Sequence, residues 1–313
     1  MRWQPSATLD ALRQRAVLMQ TIRTFFLSRQ YLEVETPIMG QYGVTDVYLA
    51  NIKATFRQQS YCLQTSPEYH MKRLLAAGSG PIFQLARVFR DDELGRWHNP
   101  EFTLLEWYQL GVDHHQLMDE VDAFLKLILN TPPLRKKTYQ QAFLESCALD
   151  PFNTNLAELK ACLARFGLAK TLEHEQDKDM HLFLLMSHVV EPFYAQDKAP
   201  LAIYDFPASQ AALAQINGQV AERFEIYYQG VELANGFHEL TNAASQRQRF
   251  AQDIAQRHAM QLPEAYMDEY LLGALEAGLP ACSGVALGVD RLIACALKQN
   301  KISQVLAFDI QRA

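Results

Sequence analysis

At 313 residues the chain has room for two domains or one large one, and either could bury a sizeable core. A formal net charge of -6, with Arg135-Lys136-Lys137 as the densest basic cluster, argues against a nucleic-acid partner, which would call for a basic stripe. The five scattered cysteines form no C-x-x-C pair, which speaks against a thiolate zinc site or a disulfide framework. No apolar run reaches the length of a membrane span and MRWQPSATLDALRQRAV does not read as a signal peptide, so the expected location is the cytoplasm.

Thr8 to Arg29 carries Leu9, Leu12, Ala16, Met19 and Phe26 at helical spacing, with Thr8 as the N-cap. YLEVETP then alternates at Leu32 and Val34 and stops at Pro37, as a strand does. Met71 to Ala77 predicts a short helix closed by Gly78, and Ile82 to Phe89 and Phe102 to Leu110 predict two strands joined by a charged loop. His114 to Leu129 predicts a helix ended by Thr131-Pro132-Pro133. Residues from about 134 to 215 read as mixed and mostly helical, without a motif to which chemistry attaches. Val220 to Leu240 predicts two strands around Gln229-Gly230. Ser245 to Met260 and Asp268 to Ala277 predict helices, and GVALGVDRLIACAL a glycine-punctuated strand running into another. Strands and helices are mixed rather than alternating, so the expected class is α+β. With no internal repeat or linker in sight, the expected organisation is a single catalytic domain over 1–313 with a mostly helical insert at about 112–215.

The stretch FRDDELGRWHNPEFTLLEWY, Phe89 to Tyr108, carries the most chemical information. It sets Arg90, Arg96 and His98 near Asp91, Asp92, Glu93, Glu101 and Glu106, with Phe102 and Trp107 between them. Guanidinium suits phosphate, carboxylate suits an ammonium group or magnesium, and an aromatic face suits a base. Together they would suit ATP and an amine-bearing molecule; a salt-bridged surface loop is the alternative.

Three separated segments then fall into order: a helix followed by FLSRQYLEVETPIM, next FRDDELGRWHNPEFTLLEWY, and last GVALGVDRLIACAL. This order resembles motifs 1, 2 and 3 of the class II aminoacyl-tRNA synthetases, and TSPEYHMKRLL and GVELANGFHEL narrow the resemblance to the lysyl branch. It covers nearly the whole chain and implies an antiparallel sheet flanked by helices, with ATP lying on the sheet, and a homodimer formed through motif 1. Lysyl-tRNA synthetases carry an anticodon-binding β-barrel before motif 1. Here motif 1 begins almost at the first residue, so that module is expected to be absent. A core without it resembles the lysyl-tRNA synthetase paralogues that attach β-lysine to a lysine of elongation factor P. The implied partners are elongation factor P, β-lysine and ATP with Mg2+, and no tRNA.

Residue roles follow from that resemblance, motif by motif. Arg90 matches the motif 2 arginine that holds the α-phosphate and the substrate carboxylate. Phe102 matches the phenylalanine under adenine, with Arg291 on the other face and near the γ-phosphate. His98, Asn99, Glu232 and Leu233 match ATP contacts, and Gly288 lets backbone approach the nucleotide. Asp92 stands where the family has glutamate, with Glu93 beside it, so either could take that role. Trp97 replaces an arginine whose phosphate contact Arg96 could supply. Glu225 and Glu232 match the magnesium ligands. Ser66, Glu68, Glu106, Tyr108, Asn235 and Glu239 match the amino-acid pocket. Glu239, Glu106 and Tyr108 would take the distal amine, and Glu68 with Ser66 would lie toward the other. Ala286 stands where the lysyl enzymes have a motif 3 glycine; its methyl would narrow the pocket floor and favour a β-amino acid, or be a neutral exchange.

The implied reaction forms an aminoacyl-adenylate and passes the acyl group to an amine, with no covalent enzyme intermediate and no assignable base. Three other readings compete with it. They are a minimal ligase charging a tRNA acceptor stem, a ligand-binding regulatory protein without catalysis, and a ligase making a free amide.

Overall fold

The computed structural model describes residues 3–91 and 94–313. In chain order its elements begin with α1 (Leu9–Leu27), β1 (Leu32–Glu33), β2 (Met39–Gly40), β3 (Lys53–Phe56), β4 (Gln59–Leu63), α2 (Glu68–Ala76), β5 (Ile82–Phe89), β6 (Glu101–Leu110) and α3 (His114–Leu129). They continue through β7 (Arg135–Thr138), α4 (Tyr139–Cys147), α5 (Leu156–Arg165), α6 (Lys178–Leu185), α7 (Glu191–Tyr194), β8 (Leu201–Pro207), β9 (Ile216–Asn217), β10 (Val220–Tyr228) and β11 (Val231–His238). The last are α8 (Ala243–Ala259), α9 (Glu269–Gly278), β12 (Cys282–Gly288) and α10 (Val289–Ala296). The mixture is α+β, as expected. The described chain divides into two compact units: Met1–Asp113, Leu127–Leu129 and Glu239–Ala313 form one, His114–Lys126 and Asn130–His238 the other.

In the first unit the main sheet runs β1-β5-β6-β12, and a small sheet runs β2-β4-β3. Strand β1 is parallel to β5, while β5, β6 and β12 are antiparallel neighbours. Side chains alternate across a strand, so register decides which residues share a face. Phe83 pairs with Trp107 and Trp107 with Val285, and this face takes Phe26 of α1, whose ring stacks 4.8 Å from Phe83 and lies 5.1 Å from Trp107. The other face carries Gln84, Glu106 and Ala286 in one row and Ile82, Tyr108 and Gly284 in the next.

Thr8 caps α1 by accepting from the Ala11 amide at 3.1 Å, but the buried stripe of α1 differs from the predicted one. Ala11, Ile22, Phe25 and Phe26 are buried, whereas Leu9 is 63% exposed and Ala16 is exposed. Two apolar stripes coexist on this helix, and spacing alone does not rank them.

Arg15 of α1 ties the three motif segments together. Its guanidinium lies 2.6 Å from Asp290 of α10 and donates to Thr103 of β6 at 3.3 Å, while Asp290 accepts from the Thr103 amide at 2.9 Å. Asp290 is buried, so this paired network fixes α1, β6 and α10 against one another.

The second unit has strand order β11-β10-β8-β7, with β9 on β10 and β7 parallel to β8. Its core gathers Tyr139 and Phe143 of α4, Leu159 and Leu163 of α5, Leu182 and Leu185 of α6, and Ile203 and Phe206 of β8. The region expected to be mostly helical therefore also contains β7 and β8. No helix among the described residues is long and apolar enough to cross a membrane.

Candidate active site

The first unit concentrates three carboxylates and one ammonium group where α2 meets the open face of the sheet. Glu106 stands mid-strand on β6, and both its oxygens are engaged. Ser66 Oγ donates to Oε2 at 2.7 Å and Tyr108 OH to Oε1 at 2.7 Å, the latter because residues i and i+2 share a face. Ser66 Oγ also accepts from the Glu68 amide at 3.0 Å, fixing the first turn of α2. One turn on, Lys72 extends its ammonium between Glu68 and Glu239, 2.6 Å from an oxygen of each. Glu239, Glu106 and Lys72 are 1%, 2% and 2% exposed.

Burial is what shifts these groups. Loss of hydration pushes Glu106 up to about 7, with Glu68 adding to the rise and the hydrogen bonds from Tyr108 and Ser66 opposing it. Burial also pushes Glu239 up, to about 8, against the pull of Lys72. On Lys72 burial acts downward, but Glu239 and Glu68 outweigh it and hold the ammonium charged well above its ordinary range. The Tyr108 phenol is raised by burial and the neighbouring acids and stays a donor.

Gly284 makes this packing possible. A methyl there would fall 2.2 Å from Tyr108 Cε1 and 2.6 Å from Glu239 Oε1. Ala286, one row along and opposite Glu106, packs with Ala86, Val88, Leu104 and Phe102.

Beyond that apolar patch lie the predicted nucleotide residues of the first unit. The Arg90 guanidinium sits over the Phe102 ring at 5.1 Å, and the Arg90 amide donates to Pro100 O at 2.9 Å. Arg291 donates from Nε to Trp97 O at 3.1 Å and lies 2.7 Å from His98 Nε2 through Nη2. Guanidinium cannot accept, so that histidine nitrogen must be the acceptor and its proton sits on Nδ1. Arg96 donates to Asn300 O, tying it to the chain after α10. Asn99 is buried, donates to Glu101 O at 2.6 Å and accepts from the Ile310 amide at 3.0 Å, so its side chain already braces the loop. At Gly288 the protein itself would tolerate a methyl, 3.5 Å from Arg291 Cδ. Asp92 and Glu93 lie outside the described residues.

The second unit holds the remaining predicted residues. Glu225 pairs with Asn235 and Tyr227 with Glu232, so Leu233 is an extra residue on β11. On an uninterrupted strand Glu232 and Asn235, three apart, would face opposite ways; the bulge brings Glu225, Glu232 and Asn235 to one face. Arg223 and Tyr227 both donate to the Glu225 carboxylate, and Arg223 also donates to Asn235 Oδ1 at 3.3 Å and Gln210 O at 2.8 Å. A carboxylate offers about four lone-pair sites, so these bonds leave Glu225 able to ligate.

Sequence reading missed Lys72, Gly284 and Arg223. The i, i+4 spacing of Glu68 and Lys72 and the Arg-x-Glu alternation of 223 and 225 were available as signals.

The chain matches the family model of class II tRNA synthetases (D, K and N) over residues 1–312. It is 52% identical over 320 residues to the elongation factor P–(R)-β-lysine ligase of Vibrio cholerae serotype O1, covering 99% of this chain and 98% of that one. The proteins of the same name from Pasteurella multocida and Salmonella typhi are each 51% identical over 320 residues, with the same coverage.

Proposed function

The chain belongs to the class II tRNA synthetases of the D, K and N group, and from that we propose that it is an ATP-dependent, AMP-forming ligase acting on (R)-β-lysine and elongation factor P. One observation in the structure carries the substrate class: buried Glu106 and Glu239, with half-buried Glu68, gathered about the buried ammonium of Lys72. When ionised the three carboxylates outnumber the Lys72 ammonium by two, and lysine-type substrates bring two ammonium groups. Buried charge is stable only when paired, so the pocket discriminates in favour of a diamine.

In the first step the β-lysine carboxylate attacks the α-phosphorus of ATP, a P–O bond forms, and pyrophosphate leaves. Arg90 is placed to hold the carboxylate and α-phosphate together, a positioning and charge-neutralising role. Phe102 supports adenine, and Arg291 with His98 faces the outer phosphates. In the second step the ε-amine of the acceptor lysine attacks the acyl carbon, an amide forms and AMP leaves. Glu225 and Glu232 are the residues that would hold magnesium, which prefers one or two carboxylates plus substrate phosphates and would neutralise charge as pyrophosphate departs. Exposed Leu9 and Val17 on α1 support a homodimer formed through that helix.

Pyrophosphate exchange stimulated by β-lysine well above α-lysine is the direct test of the first step, and equal stimulation would contradict the donor assignment. Ala286→Gly should raise exchange with α-lysine by up to the 10- to 200-fold that one carbon is typically worth. An unchanged preference would show that the Ala286 methyl does not set the pocket floor.

Substrate capture should also be proton-linked. Glu106 and Glu239 sit near 7 and 8 in the free protein, and an incoming ammonium draws them back toward ordinary carboxylate values. The free protein then carries more protons than the complex, so binding releases protons near neutral pH and tightens from about pH 6 to 8. Calorimetry in two buffers of different ionisation heat measures this; identical heats and a flat affinity would contradict it.

A further inference from the structure

Apart from the residues used above, the second unit gathers ionisable groups from the start of α3, from β8, from β10 and from the end of β11. One donor atom each from His114, Glu222 and His238 lies within 4.8 Å of the others. Two residues of β10, Glu222 and Arg223, stand opposite the single Asp205 of β8, a bulge of the kind that re-aims side chains. Asp205 accepts at Oδ1 from His114 Nε2 over 3.2 Å. A ring that donates from Nε2 carries its lone pair on Nδ1. That Nδ1 is buried with no hydrogen-bond partner among the described residues, on a histidine only 4% exposed. A buried acceptor left unmet costs about 1–3 kcal/mol, so an ordinary His114–Asp205 pair does not account for the arrangement.

We propose that His114 Nδ1, Glu222 and His238 form a binding site for a divalent cation of the zinc class, with Asp205 orienting the His114 ring. Two imidazoles and a carboxylate are a donor set for zinc or cobalt, and a carboxylate on the far nitrogen of a ligating histidine is its usual companion. His238 now donates through Nδ1 to Glu222 and lies 3.3 Å from Gln215 through Nε2. On metal binding through Nδ1 the ring takes its other neutral tautomer, with the proton on Nε2, and the Gln215 amide turns over so that its Oε1 accepts from it. The Glu222 and His238 side chains are 18% and 21% exposed, so a cation can enter from solvent. The site would link α3 to β10 and β11, a structural role separate from the adenylate chemistry.

Cobalt is the probe. Tag-free full-length protein, stripped with chelator, is titrated with Co2+ and read by its visible ligand-field bands, then competed with Zn2+. One Co2+ per chain with the intensity of a tetrahedral site is expected. His114→Ala and His238→Gln should weaken binding more than a hundredfold, and Asp205→Asn by about 10- to 100-fold. His188→Ala, at an exposed histidine elsewhere in the unit, should leave it unchanged. If His114→Ala fails to fold, His238→Gln and Glu222→Gln at the half-buried positions decide the matter. No stoichiometric cobalt binding, or equal binding by the wild type and these variants, would overturn the site.

Discussion

Gly284→Ala is expected to fold and yet to lose β-lysine binding by about a hundredfold or more. The added methyl would sit 2.2 Å from one carbon of the Tyr108 ring and 2.5 Å from the next, where contacts near 3.5 Å are optimal. The ring must retreat by about 1 Å, but it is buried and its hydroxyl is held on Glu106. On the other side Glu239, 2.6 Å from the new methyl, is held by Lys72. Overpacking of this kind costs about 1–3 kcal/mol of stability, and moving Tyr108 and Glu239 off the distal ammonium breaks a buried charge pair, at about 3–5 kcal/mol, which is a hundredfold or more in affinity. Calorimetric titration with β-lysine, beside a melting curve, separates the two effects. Wild-type affinity in the variant would mean that Tyr108 and Glu239 do not line the amino-acid pocket.

Lys72→Met should have the larger effect on stability. It removes the one ammonium between Glu68 and Glu239, and removing one partner from a buried ion pair costs about 3–5 kcal/mol. The sign of its pH dependence follows from Glu239. Its folded pKa is raised above the ordinary carboxylate value, so ionising it opposes folding, and stability falls as pH rises from the unfolded value toward the folded one. Lys72 restrains that rise, and without it Glu239 moves higher still. At pH 6 Glu239 holds its proton in either protein. At pH 9 only the wild type can ionise it against a partner. Urea unfolding should therefore show a larger deficit for the variant at pH 9 than at pH 6, and equal deficits would remove Lys72 from its assigned place. Weakened β-lysine binding should accompany the loss, since a protonated Glu239 offers no charge to an ammonium group.

The sequence was most legible where local rules decide. Thr8 caps α1, Gln229-Gly230 turns between β10 and β11, and β5 and β6 flank the charged loop as their apolar runs predict. The short β7, Arg135–Thr138, carries no apolar alternation, and β8 opens on the apolar stretch Leu201 to Tyr204, which spacing cannot tell from a buried helix, so both disappeared into a region read as mostly helical. The acids of the pocket were legible only through resemblance to the lysyl synthetases. Their balancing partner was not, because Lys72 meets Glu239 from a distant part of the chain and only the fold brings them within 2.6 Å. The same limit applies to the bulge at Leu233: strict alternation would set Glu232 on the face away from Glu225, and one extra residue reverses it.

A β-lysyl-adenylate made on this protein is expected to pass its acyl group to a protein amine. The most direct test is transfer of labelled β-lysine and labelled α-lysine, with Mg-ATP, to purified elongation factor P and separately to tRNA. The expected result is labelled elongation factor P with β-lysine far ahead of α-lysine, and unlabelled tRNA. Labelling of tRNA alone would keep the adenylate and contradict the acceptor; no labelling of either, together with no pyrophosphate exchange, would contradict the catalytic reading altogether.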